Sequence, residues 1–172
     1  KDIVGKQPRD IFDMGVVYLS ENRKESGLFV DMSIKHNISA TYIKNVSKGM
    51  WINKKLESNQ AKKLCKDLNV RYRSIEQLIR NLSGGNQQKV MIGKLLSVMP
   101  KIVIMDEPTR GIDVGAKSEI HKLLRELIEQ GIGVIMISSE LNEILGMCDR
   151  VLIMNEGRIC GELTGDEIDA KM

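Results

Sequence analysis

Asn81-Leu-Ser-Gly-Gly-Asn-Gln-Gln-Lys-Val90 is the stretch on which the reading of this chain turns. Ser83 is a residue type that caps helices, because its side-chain oxygen accepts from the first free N–H groups. Gly84 and Gly85 follow without side chains. Met91 and Leu95, and Ile92 and Leu96, then repeat at i, i+4 until Pro100 ends the pattern. A glycine pair therefore opens a helix. The first N–H groups of a helix have no intrahelical partner, and glycine lets an anion approach them closely. An ordinary capped helix on a tight turn has the same local features, so the surrounding chain has to decide between the two.

Lys101-Ile-Val-Ile-Met-Asp-Glu-Pro108 supplies that context. A short, largely β-branched apolar run bounded by Pro100 and Pro108 predicts a buried strand. It ends in two adjacent carboxylates, and the carboxyl ends of strands are where α/β sheets bind ligands. Asp106 suits a water-mediated Mg²⁺ contact, and Glu107 suits polarising an attacking water; a solvated acidic loop is the weaker alternative.

Leu82-Ser-Gly-Gly-Asn-Gln87 followed by Ile102-Val-Ile-Met-Asp-Glu107 and Gly111-Ile-Asp113 resembles the ATP-binding cassette ATPases, with signature, Walker B strand, neighbouring glutamate and D-loop in the family's order. Asn86-Gln-Gln-Lys-Val90, Thr109-Arg-Gly-Ile-Asp-Val-Gly-Ala-Lys117, Ser138-Ser-Glu140 and Gly146-Met-Cys-Asp-Arg150 resemble the second cassette of ribose- and galactose-type bacterial sugar importers. The resemblance runs from about Pro8 to about Leu163.

It implies an α/β fold: a partial nucleotide-binding domain with a RecA-like parallel sheet, helices on both faces, and a helical subdomain. Residues 1–30 and 101–172 would form the RecA-like part, and 31–100 the helical part carrying the signature. It also implies ATP and Mg²⁺. Glu107 is the catalytic carboxylate, Asp106 holds the metal through water, and Ser83, Gly84, Gly85, Gln87 and Asp113 contact nucleotide. Glu21 stands at the Q-loop position, where a glutamine is usual. Ser139 stands at the switch position, usually a histidine; a serine has neither the charge nor the reach of an imidazole, so hydrolysis beside it is expected to be impaired.

In such importers two cassettes sandwich ATP head to tail. The partners implied are the first nucleotide-binding domain of the same polypeptide, membrane permease subunits and, indirectly, a periplasmic or surface sugar-binding protein. The place implied is the cytoplasm, peripheral on the inner face of the membrane. Two alternatives stay open: a non-transport ATPase of the DNA-repair or chromosome-maintenance type, and a catalytically silent regulatory cassette. The former carry long coiled-coil heptads between the motifs, and none is present here.

Composition agrees. A net charge of +3 and 3% aromatic residues give no basis for nucleic-acid binding. Cys65, Cys148 and Cys160 have no metal-ligand spacing, and no membrane span or signal peptide is visible.

Along the chain, Pro8–Met14 reads as a helix closed by Gly15, Val16–Leu19 as a strand, and Ser20–Gly27 as a polar loop. Ser33 caps a helix through about Tyr42. Trp51 is expected to pack within the core or subdomain, with a membrane-protein contact as the lesser reading. Leu56–Leu68 is amphipathic, and Ser74-x-x-Gln77 has the form of a capping box for a short helix. Ile120, Leu123, Leu124, Leu127 and Ile128 form a helical stripe closed by Gly131. Gly133–Ile137, Val151–Met154 and Arg158–Leu163 read as strands, Leu141–Leu145 as a helix, and Asp166 as the start of another.

No G-x-x-x-x-G-K-[ST] loop occurs in these residues, so the chain reads as the later part of one cassette and is not expected to turn over ATP by itself. In the family the missing strand lies between Gly133–Ile137 and Val151–Met154. Unpaired strand edges are costly, so the gap is expected to close: by those two strands moving together, by the chain's own N-terminal segment, or by a second copy.

Overall fold

The computed structural model describes residues 3–41, 43–48, 50–165 and 167–168, so Tyr42 and Asp166, expected helix boundaries, lie outside the described residues. Contacts divide the chain after Ile137 into two compact units.

In the first unit, α1 (Pro8–Asp13) leads through Gly15, at φ +86°, into β1 (Val16–Leu19). β1, β4 (Ile102–Asp106) and β5 (Gly133–Ile137) form a parallel sheet in the order β1-β4-β5. Its register aligns Val17 with Val103 and Val134, and Leu19 with Met105 and Met136. These residues share one face, and Val17, Leu19, Val103 and Met105 are buried. The opposite face carries Tyr18, Ile104 and Ile135; Tyr18 and Ile135 are each 53% exposed, so cover is uneven.

α4 (Gly84–Leu96) packs on β1, and α5 (Val114–Glu129) packs on β5 and α4. The α5 stripe buries Ile120, Leu123, Leu124 and Leu127, while Ile128 is left partly exposed beside the closing Gly131.

The helices around the signature form a second cluster. α2 (Ile34–Ala40) is capped as expected, Ser33 Oγ accepting from His36 N–H at 3.2 Å. Asn53 begins α3 (Lys54–Asp67) in the same way, accepting from Lys55 and Leu56 N–H. α2 and α4 pack together, with Ile34, Ile38, Ala61, Cys65, Ile79, Val90, Met91 and Ile92 all but inaccessible. Burial pushes the Cys65 thiol up to about 11, so it stays protonated and unreactive.

Two local expectations fail here. Trp51 sits on a small antiparallel hairpin, β2 (Ser47–Lys48) and β3 (Trp51–Ile52), and is 80% exposed; the two-residue strands are too short to fold it back on the helices. Ser74-x-x-Gln77 opens no helix. Gln77 Oε1 accepts from Arg73 N–H and Ser74 Oγ from Glu76 N–H, as in a capping box. The backbone then turns extended because Gln77 and Ile75 carbonyls accept from the free N–H groups of Ile34 and Lys35 on α2.

The second unit, beginning at Ser138, contains α6 (Leu141–Met147) and an antiparallel pair, β6 (Arg150–Asn155) and β7 (Arg158–Thr164). Val151, Leu163 and Ile168 form its core, with Ile144, Leu145 and Cys148 against it. Glu156 and Gly157, both at positive φ, make the tight hairpin turn. β6 thus pairs with β7 inside the second unit, as β5 pairs with β4 inside the first.

Candidate functional site

Ser83 occupies the N-cap position of α4 with an extended backbone, but its hydroxyl takes no backbone N–H. Instead Ser83 Oγ accepts from the side-chain amide of Asn86 at 2.8 Å. The N–H groups of Gly84, Gly85 and Asn86 therefore have no hydrogen-bond partner among the described residues. Three aligned donors, a helix dipole and an exposed serine hydroxyl make this end of α4 suited to an anion.

The two glycines are required for different reasons. A Cβ on Gly85 would lie 2.6 Å from Ala116 Cβ, so Gly85 is what lets α4 press against the first turn of α5. Gly84 is looser: its Cβ would meet Arg23 Nη2, Gly111 O and Ile112 Cγ2 at 3.4–3.6 Å. The expectation that both glycines serve close phosphate approach is thus incomplete, since packing alone fixes Gly85. This contact also sets the signature beside the D-loop residues 111–116.

Gln87 is buried, and its Nε2 donates to Ile79 O and Leu82 O, both at 3.1 Å. The side chain holds the strap before the helix. The helix period turns Gln87 about 100° away from Asn86, so the polar residue that reaches Ser83 is Asn86.

Arg23, in the π-helical turn Arg23–Gly27, crosses to α4 and donates from Nη1 to Gly84 O at 3.2 Å; burial lowers its pKa. Glu21, the residue expected at the Q-loop position, is paired with Arg110 at 2.9 Å. Glu21, Asn22, Arg23 and Arg110 line an open pocket of about 280 Å³. Lys94 Nζ reaches Gly27 O at 3.0 Å, so segment 20–27 is fastened to α4 at two points. Neither Arg23 nor Lys94 has a sequence signal for this role; long side chains reveal their partners only once the fold is formed.

At the end of β4, Asp106 Oδ2 accepts from the Tyr18 hydroxyl of neighbouring β1 at 2.6 Å, and that bond is the main cause of the raised Tyr18 pKa. Glu107 leaves the strand at φ +47°, a left-handed backbone that costs a non-glycine residue about 1 kcal/mol. The turn is held because Glu107 N–H donates to Ile137 O and Glu107 O accepts from Arg110 N–H. Asp113, expected to contact nucleotide, caps α5 by accepting from Ala116 N–H at 2.9 Å.

Ser139 belongs to the second unit, where it is exposed; the neighbouring Ser138 donates to Glu143 at 2.8 Å and accepts from Glu140 N–H. Among the described residues no three His, Cys, Asp or Glu side chains converge on one point. A lone Asp106 still fits Mg²⁺, which is usually held by one or two carboxylates together with waters and phosphate oxygens.

Residues 2–110 match the family described as ABC transporter, a span that includes the signature and the β4 carboxylates. The chain belongs to the ABC transporter family. This cassette is 55% identical to a ribose import ATP-binding protein of Rhizobium meliloti over 92% of its own length and 31% of that protein's. It is 48% identical to a ribose import ATP-binding protein of Bacillus licheniformis over 94% of its length and 33% of that protein's. The cassette thus spans about a third of the length of the curated relatives it matches.

Its fold matches the crystal structure of the ADP conformation of an ATP-binding cassette of an ABC transporter, with 27% identity, TM-score 0.80, and 98% of this chain and 68% of that one covered. It also matches a nucleotide-free ATP-binding cassette from an ABC transporter, with 26% identity, TM-score 0.82, and 99% and 69% covered. Both neighbours establish the α/β cassette architecture expected from the sequence. No helix among the described residues is long and apolar enough to cross a membrane.

Proposed function

We propose that this chain is part of the ATP-hydrolysing component of a bacterial sugar importer, coupling ATP binding and hydrolysis to carbohydrate uptake through a membrane permease. The observation that carries this is the likeness to ribose import ATP-binding proteins across nine-tenths of the chain. The donor-rich start of α4 supports it. Gly84 and Gly85 would present backbone N–H groups, and Ser83 a hydroxyl, to the γ-phosphate held by the first nucleotide-binding domain of the same polypeptide, where they complement charge growing in the transition state.

Asp106 would hold Mg²⁺ through water, which neutralises phosphate charge when bound. Glu107 would orient and deprotonate the attacking water. Asp113, Glu21 and Ser139 belong to this second site, where serine in place of an imidazole leaves hydrolysis weak. Residues 31–100 act as the signature-bearing subdomain facing the permease, and a sugar-binding protein delivers the substrate from outside. The assembly sits at the cytoplasmic face of the membrane. Nothing in the chain favours a DNA-repair or chromosome-maintenance role.

The test is sugar uptake by the full-length ATPase reconstituted with its permease and binding protein in vesicles. Gly85→Asp places a carboxylate where a phosphate must sit and overfills the Ala116 contact; uptake should fall by about 100-fold or more, the scale of losing a transition-state donor. Ser139→Ala should change it by less than about twofold, because the serine has no switch chemistry to lose. Equal losses at equal protein level would overturn the assignment of the two sites.

A further inference from the structure

The signature contains a polar residue with a role the motif alone does not assign. Asn86 lies at the third position of α4, half-buried, with both ends of its amide engaged. Its Oδ1 accepts from Arg71 N–H at 2.7 Å, and its Nδ2 donates to Ser83 Oγ at 2.8 Å. A backbone N–H can only donate, so the amide oxygen must face Arg71 and the NH₂ must face Ser83.

That orientation has a consequence for the serine. In an ordinary N-cap the hydroxyl oxygen accepts from the backbone N–H of the third helical residue. Here the same residue's side chain takes that place. The Asn86 N–H is left for a ligand, and Ser83 Oγ, already accepting, keeps its proton to donate outward.

Arg71 is itself anchored. Lys89, 4% exposed on α4, donates to Asn69 O at 2.9 Å and to Glu119 of α5 at 2.6 Å. Glu119 also lies 3.7 Å from the Arg71 guanidinium. The strap 69–71 is thus pinned to two helices, and Asn86 reads its position.

We infer that Asn86 is a positioning residue for Ser83, holding the serine hydroxyl as a donor and sparing the helix N–H groups for a terminal phosphate oxygen. The inference rests on the proposed phosphate-facing role of the signature and adds the residue that sets its geometry. The Asn86 side chain acts through Ser83 and touches no reacting atom.

A double-mutant cycle separates this from a structural role. Equilibrium binding of a non-hydrolysable ATP analogue is measured on the full-length ATPase, so that turnover at either site does not intrude. Four forms are compared: parent signature, Ser83→Ala, Asn86→Ala, and both together. Alanine is a stronger helix former than asparagine at this position, so the helix persists.

Asn86→Ala should weaken binding about fivefold, the scale of one oriented hydrogen bond. The double variant should bind no more weakly than Ser83→Ala alone. Asn86→Gln, which retains both amide functions, should stay within about twofold of the parent. Losses that multiply in the double variant would overturn the inference while leaving the signature's role intact, as would an Asn86→Ala form indistinguishable from the parent. If Ser83→Ala itself leaves ATP binding unchanged, the phosphate-facing reading falls, and the role of Asn86 with it.

Discussion

The start of α4 and the end of β4 both carry residues assigned to nucleotide chemistry, yet they are built in opposite ways. The start of α4 is fixed by packing and by paired polar groups: Gly85 against Ala116, Gln87 on two carbonyls, Asn86 between Arg71 and Ser83, Lys89 on Glu119. Its reactive surface is backbone N–H, which cannot change rotamer. The end of β4 is fixed by the sheet only as far as Asp106. Beyond it, Glu107 is set by a left-handed backbone and two main-chain hydrogen bonds. One site is preorganised by a rigid helix, and the other stores strain in a turn, a contrast expected where the first binds a charge and the second aims a carboxylate.

The largest test of the rigid side is Gly85→Ala. Its Cβ would fall 2.6 Å from Ala116 Cβ, and overfilling a close helix contact costs about 1–3 kcal/mol. Urea denaturation should show that loss, Ala116→Gly should restore much of it in the double variant, and Gly84→Ala, with no neighbour nearer than 3.4 Å, should be far milder. Equal costs for the two glycines would erase the distinction drawn between them.

The strained side predicts the opposite sign. Glu107→Gly should raise stability by about 1 kcal/mol, because glycine adopts positive φ without penalty, while removing the catalytic carboxylate. A melting temperature unchanged or lowered would mean that the Glu107 side chain contributes more to the fold than its backbone costs.

The smallest effect concerns the anchor between α4 and α5. Hydrogen bonding from Lys89 holds the Glu119 carboxyl below its ordinary value. A carboxyl depressed in the folded state gives stability that is present above its unfolded pKa and lost as pH falls through the folded one. The loss should therefore begin below about pH 4.3. Glu119 is about half exposed, so the effect should be only a few tenths of a kcal/mol. Lys89→Met should flatten that acid limb in pH-dependent denaturation curves; an unaltered limb would show that Glu119 does not report the anchor.

Much of this molecule is determined locally and was legible in the sequence. The i, i+4 patterns of α3, α4 and α5, the cap at Ser33, the apolar runs of β4 and β5, and the Glu156-Gly157 turn follow from residues close together in the chain, so short-range sterics and hydrogen bonding suffice to read them. The order of the motifs carried the family.

What the sequence left undecided depends on partners distant in the chain. Gly85 looks like any glycine until Ala116 arrives against it. Gln87 gives no sign of its partners until the helix turns it onto Ile79 and Leu82. Ser74-x-x-Gln77 looks like a helix start until the N-terminus of α2 takes its carbonyls. The same holds for Arg23 on Gly84 and Tyr18 on Asp106, residues separated by |i−j| of 61 and 88. Sequence specifies which groups can donate, accept or pack. Only the tertiary fold brings one donor to one acceptor, because at such separations chain entropy allows the meeting only when the surrounding core has already formed.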